Sequence, residues 1–295
     1  MKKSKQPLRW PSLLACLIPV SAGAASLPPV TSAPSQEHHA GKVVLVELIT
    51  PDIAQAEKFY GGLFGWTFQD QQGFRFPYAE ALDNGQPVAG LVQRPAPTDE
   101  HRQSAWLNFI SAPDVDAAVK AATAAGARVL EPPHDLPARG REAVLADPQG
   151  AVFAVLASSS GDPADVLAPT GDWIWSSVAA TDPVADADFY KTVFGYEVDP
   201  LEAAGHSLLA TEGYARASVN GLPPNHPNAH PHWLNFVRVN AVGAAVAQAK
   251  LLGGRVLAGP WTDRHGGQMA VIADPAGAPV GLMEWAESDS KEVGQ

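Results

Sequence analysis

Phe59-Tyr60-Gly61-Gly62-Leu63-Phe64-Gly65 and Phe189-Tyr190-Lys191-Thr192-Val193-Phe194-Gly195 are one pattern written twice, 130 residues apart, with Asp52 and Asp182 ahead of them in step. Further along, Trp106-Leu107-Asn108-Phe109 returns as Trp233-Leu234-Asn235-Phe236, shifted by 127, and Asp147-Pro148 with Gly150 returns as Asp274-Pro275 with Gly277 at that same shift. The second copy has lost three residues between the first and second motifs. Matched positions in fixed order over this span identify an internal duplication.

Each copy has a readable order. Val43 to Ile49 is β-branched and apolar, a strand, and Asp52 follows as an N-cap. Ile53, Ala56, Phe59, Tyr60 and Leu63 keep helical spacing until Gly65 stops the helix. Short strands are expected around 67–69, 74–81 and 88–92. Trp106–Ser111 restarts the pattern, with a helix over about 115–124 ended by Gly126 and strands near 128–130, 142–146 and 152–156. That is βαβββ twice per copy. The expected segments are a first domain over 43–160, a linker over 161–171 carrying Pro163 and Pro169, a second domain over 172–287 and a tail over 288–295.

The start of the chain reads differently. Lys2, Lys3, Lys5 and Arg9 precede the apolar run Leu13 to Val20 and then Ala22-Gly23-Ala24, the layout of a secretory signal peptide over 1–24. Its removal takes away basic groups only, making an already acidic chain (net charge −11) more so. Export to the periplasm or cell envelope is the expectation. Leu13-Leu14-Ala15-Cys16 also resembles a lipobox, so Cys16 is a candidate lipid anchor. Against this, the apolar stretch between Arg9 and Cys16 is short. Cys16 is the one cysteine, so no internal disulfide is available. Residues 25–42, rich in Ser, Pro and Ala, read as a flexible leader. Acidity argues against a nucleic-acid partner, and no apolar run beyond the N-terminus is long enough for an integral membrane segment.

The FYxxxFG helix end and the closing DPxG turn resemble the vicinal-oxygen-chelate superfamily of glyoxalase I, bleomycin-resistance proteins and extradiol dioxygenases. The likeness is to its tandem glyoxalase-like branch, with Phe64-Gly65-Trp66 matching FGW and Phe194-Gly195-Tyr196 departing slightly. It implies an α+β fold of four βαβββ units whose strands form curled mixed sheets around ligand clefts. It also implies a divalent metal held by His, Gln or Glu on the first, fifth and last strands of a copy. Those positions fall on Leu45, Leu107 and Ala154 and on Trp175, Leu234 and Gly281, none of which has a ligand atom. No metal and no other cofactor is therefore expected.

Strand period puts Glu47 on the face of Leu45, towards the cleft. Glu47 is the candidate general base or ligand anchor, or else a structural acid bonded to backbone or to a nearby arginine. Trp173 and Trp175 alternate on the corresponding face of the second copy, as stacking surfaces for a ligand or as packing between copies. Phe109 and Phe236 are candidate cleft walls, with Asn108 and Asn235 turned away to satisfy backbone groups beneath a helix. Arg139 and Arg141 are replaced by Gly266 and Gln268 in the second copy, and Arg141 is taken as the candidate guanidinium at the cleft rim. His226, His230 and His232 crowd one loop without a defined ligand geometry. Three functions compete. One is a metal-free protein that binds a small organic ligand. Another is a lyase or isomerase for a small oxygenated metabolite with Glu47 as base. The third is a module that forms a homodimer.

Overall fold

The computed structural model describes residues 26–94, 104–200, 205–222, 229–263 and 266–285. The signal-peptide, Cys16 and 288–295 expectations lie outside these, as does His226. The first unit is β1 (Val43–Thr50), α1 (Ile53–Phe64), β2 (Thr67–Gln71), β3 (Tyr78–Asp83) and β4 (Gln86–Gln93). The second is β5 (Ala105–Ser111), α2 (Val115–Ala124), β6 (Arg128–Leu136), β7 (Gly140–Ala146) and β8 (Val152–Ser158). The third is β9 (Trp173–Ala180), α3 (Pro183–Phe194), β10 (Glu197–Pro200), β11 (His206–Thr211) and β12 (Tyr214–Gly221). The fourth is β13 (His232–Arg238), α4 (Val242–Leu251), β14 (Arg255–Thr262), β15 (Gln268–Ala273) and β16 (Pro279–Met283).

Local chemistry sets the helix ends. The Asp52 carboxylate caps α1 by accepting from the Gln55 N–H at 3.0 Å, and Asp182 does the same for α3 from Ala185. Gly65 and Gly195 close those helices at φ of 82° and 75°, where a side chain would be strained. The strands form two eight-stranded mixed sheets, β2-β3-β4-β1-β5-β8-β7-β6 and β10-β11-β12-β9-β13-β16-β15-β14. Every strand pairs within its own copy.

The backs of the sheets are another matter. Val46, Leu48, Phe59 and Tyr60 of the first unit share one buried core with Val237, Val246, Ile272 and Leu282 of the fourth. The second and third units build the other core in the same way. The duplicated motifs meet across this seam. Tyr60 donates to Asp274 at 3.2 Å and Tyr190 to Asp147 at 3.1 Å. Asn108 and Asn235 exchange side-chain hydrogen bonds at 2.8 and 2.6 Å, so they satisfy each other rather than a helix backbone. Each copy owns its sheet but not its core.

Candidate functional site

Glu47 projects from the inner face of the first sheet and is 2% exposed. Its Oε1 accepts from the Tyr78 hydroxyl at 3.0 Å and from the Arg139 guanidinium at 3.2 Å, while Arg139 also donates to the Tyr78 oxygen at 3.0 Å. Tyr78 belongs to β3 and Arg139 to the turn between β6 and β7. In a flat sheet β3 and β7 would stand five spacings of about 4.8 Å apart, roughly 24 Å. Two long side chains close that distance, Tyr78 reaching in from β3 and Arg139 from the turn ahead of β7, to meet over Glu47 of β1. Gly90 makes the convergence possible, since a Cβ there would overlap the Tyr78 hydroxyl and crowd Glu47.

Other charges gather behind this triad. Burial raises the Glu142 carboxyl to about 8, with Glu47 adding to the effect and Arg139 opposing it. Burial also lifts Glu80 and, more strongly, the Tyr78 phenol. Burial disfavours the Arg139 charge, but Tyr78, Glu47 and Glu142 outweigh it and hold the guanidinium above its ordinary range.

The leader departs from expectation. Residues 26–42 contain no helix or strand, yet Leu27 is 3% and Val30 6% exposed. Leu27 packs with Tyr78, Val92 and Leu136; Val30 packs with Leu107, Phe109 and Ala154. The Pro28 carbonyl accepts from Arg139 Nε at 3.0 Å. With this segment seated, the adjoining pocket between Pro28, Tyr78 and Arg139 keeps about 40 Å³ of water-accessible space. That admits a few waters and no organic molecule. The linker is also fixed, with Asp162 1% exposed and accepting from Ser111 at 2.5 Å.

The second sheet presents the opposite surface. Cross-strand register sets Trp175 opposite Phe236, Phe236 beside Gly281, Gly281 opposite Val271 and Met269 opposite Trp261, all on the inner face. Trp175, Val271 and Met269 are half-buried, and Leu257 and Trp261 are 43% and 39% exposed. Residues on the reverse face, including Val178, Leu209, Ile272 and Leu282, are fully buried. Ser177, Leu208, His206 and Gly266 stand where the first sheet has Glu47, Glu80, Tyr78 and Arg139. The Trp175 indole donates to Ser218 Oγ at 3.1 Å, which fixes its ring.

Two residues fall elsewhere than expected. Arg141 sits outside the cleft, bonding Asp116 at 2.7 Å and Asp135 at 3.0 Å on the solvent side. The guanidinium in the cleft is Arg139. Trp173 leaves the inner face because a bulge sets Trp175 opposite Phe236 but Trp173 opposite Val237, a back-face residue. It packs edge-on to Trp66 and Trp106 in the seam and donates to the Val88 carbonyl at 2.8 Å. Phe109 and Phe236 line the inner faces, the first beneath the leader. Sequence reasoning passed over Tyr78, Glu142, Met269 and Trp261. Comparing the copies reveals a signal, since Glu142 aligns with Met269 and His134 with Trp261, polar against apolar.

The described residues do not fit the metal implied by the resemblance. Leu45, Phe109 and Ala154 are neighbours across β1, β5 and β8, and Leu107 lies on the same face, with no donor among these side chains. On the second sheet a Cβ at Gly281 would overlap the Phe236 ring, so the aromatic wall occupies the space an acid there would need. His39, Asp165 and Glu212 bring ligand-type atoms together elsewhere. Lys42 bonds Asp165 at 2.7 Å and Arg216 bonds Glu212 at 3.1 Å, so their charge is already matched.

Two family models match the chain: the Glyoxalase/Bleomycin resistance protein/Dioxygenase superfamily over residues 39–155 and a glyoxalase-like domain over 175–283. The chain belongs to this superfamily. Among curated relatives it is similar to CFP32 of Mycobacterium tuberculosis, which carries a provisional glyoxylase name, with 31% identity over 82% of this chain and 94% of the relative. It is also similar to the anthracycline biosynthesis protein DnrV of Streptomyces peucetius, with 30% identity over 82% and 92%. Among solved structures, the Mn(II)-bound glyoxalase of Novosphingobium aromaticivorans superposes with a TM-score of 0.59 at 16% identity, covering 84% of this chain and 83% of that one. The 2,2',3-trihydroxybiphenyl 1,2-dioxygenase of Sphingomonas wittichii gives 0.58 at 16%, covering 84% and 91%. These structures share the fold.

Proposed function

We propose that this is an exported binding protein that holds a flat, largely apolar organic molecule on the inner face of its second sheet, without the family metal. The observation that carries the reading is the row Trp175, Phe236, Val271, Met269 and Trp261, apolar and partly open to solvent on one face of a sheet buried on the other. Aromatic walls around a concave apolar surface recognise planar ligands by stacking and area. The likeness to DnrV favours a polycyclic aromatic ligand. The lyase or isomerase reading has less support, because Glu47 is covered by the leader and engaged by Tyr78 and Arg139, whereas a general base must reach its substrate proton.

The test is titration with an anthracycline chromophore as probe, followed by tryptophan fluorescence. Saturable binding is expected, weakened about 2- to 12-fold by Trp175→Ala or Trp261→Ala, the worth of one stacked ring. Binding that neither substitution alters would refute the reading, as would none at all. A dimer that dissociates with Trp261→Asp would assign the face to a second copy instead. Melting temperature should not respond to a chelator, since the family's ligand positions carry no donor side chain. N-terminal analysis tests export: the expected start is near Ala25 or at a lipidated Cys16, and a protein retaining Met1 contradicts it.

A further inference from the structure

The first cleft holds a short stretch of chain outside any helix or strand, and its contacts are those of a bound peptide. Leu27 and Val30 enter separate apolar subsites, the first formed by Tyr78, Val92 and Leu136 and the second by Leu107, Phe109 and Ala154. Between them Pro28 and Pro29 need no partner for an N–H and keep the segment extended at little entropic cost. The one polar contact in the middle is directional, from Arg139 Nε to the Pro28 carbonyl at 3.0 Å. The flanks are pinned as well. Ser26 Oγ donates to the Pro137 carbonyl at 3.0 Å, and Thr31 N–H donates to Ser160 Oγ at 3.2 Å. Among the described residues the second cleft has no such occupant, for a topological reason. The chain at the equivalent distance before β9, residues 157–160, is the last two residues of β8 and the turn that follows, already committed to the first copy.

We infer that the first cleft is a peptide-binding site for an extended apolar-Pro-Pro-apolar segment, and that its resident ligand is the chain's own Leu27-Pro28-Pro29-Val30. Arg139 serves three partners at once, the Glu47 carboxylate, the Tyr78 hydroxyl and the peptide carbonyl, so the buried polar groups orient the one that reads the peptide. The tether keeps the segment at an effective concentration of order millimolar, so a free peptide at micromolar levels cannot displace it. This assignment concerns the first sheet alone and is independent of the ligand proposed for the second.

Two measurements on the full chain test it. In the wild type, methyl–aromatic NOEs are expected between Leu27 and the Tyr78 ring and between Val30 and the Phe109 ring. Their absence, with both side chains sharp and unrestrained, would overturn the inference. In Leu27→Asp/Val30→Asp the segment should leave the cleft. A labelled synthetic peptide of residues 26–31 should then bind saturably to this variant, at least tenfold more tightly than to the wild type and more tightly than a scrambled peptide. If that variant does not fold, Leu27→Ala/Val30→Ala is titrated in its place. A folded variant that takes up neither peptide, or both equally, shows the leader to be packing and the cleft to be no receptor.

Discussion

Replacing Arg139 by Met removes a 1%-exposed guanidinium from beside a 2%-exposed carboxylate. The side-chain volume is nearly kept, so the loss is electrostatic. Glu47 loses its 3.2 Å ion pair, Tyr78 loses a donor at 3.0 Å, and the Pro28 carbonyl loses its partner. Breaking a buried pair from one side strands the other charge, which costs about 3–5 kcal/mol. Glu47→Gln in the same chain removes the stranded charge, and the double variant should lie within about 1–2 kcal/mol of wild type, the residue being unmatched polar groups. Part of the single-variant loss passes through the leader. Leu27→Ala alone, expected to cost about 2–5 kcal/mol as a buried leucine, bounds that part. Equilibrium unfolding in urea measures the wild type, both single variants, the double variant and Leu27→Ala, with a common slope marking a common folded state. A single variant costing less than about 1 kcal/mol, or a double variant costing the sum of the singles, would refute the idea of one buried, interdependent pair.

The seam makes two further predictions. Burial, helped by neighbouring Asp147, raises the Asp186 carboxyl to about 8. The folded state thus binds a proton that the unfolded state releases near its ordinary value, and stability should fall as pH rises from about 4 to 8. Asp186→Asn should flatten that fall in thermal melts across the window, and an unchanged slope would remove Asp186 from the account. Asn108→Ala strands the Asn235 amide and should cost about 1–3 kcal/mol, while Asn108→Ala/Asn235→Ala should cost clearly less than two such losses. Strict additivity in denaturant melts would mean that the two amides do not depend on each other.

The architecture was legible because it is written twice, and each motif has a local job: Asp52 and Asp182 as caps, Gly65 and Gly195 as helix stops. What the motifs do across the molecule was not legible. Tyr60 looks like a core residue of its own copy, and only the packing of one copy on the other brings it to Asp274. Trp173 escaped because period 2 does not register a bulge. Arg139 and Arg141 differ by two residues, so alternation alone puts them on one face. Arg139 leaves that alternation because it sits in the turn ahead of β7 (Gly140–Ala146), with Gly140 next to it at φ 125°. Composition does not reveal the docking of the leader. Ser, Pro and Ala describe most free linkers, and two apolar residues among them are enough to dock the segment once a shaped surface is present.

The crossed handshake of Tyr60 with Asp274 and Tyr190 with Asp147 has the symmetry of two identical subunits, although one chain supplies both hands. In a pair of identical subunits any change to a cleft is made in both. Joining the halves end to end keeps the mutual support of the seam and lifts that constraint. One inner face could then become charged and closed by its own upstream segment, while its twin lost every one of those charges and stayed open and aromatic.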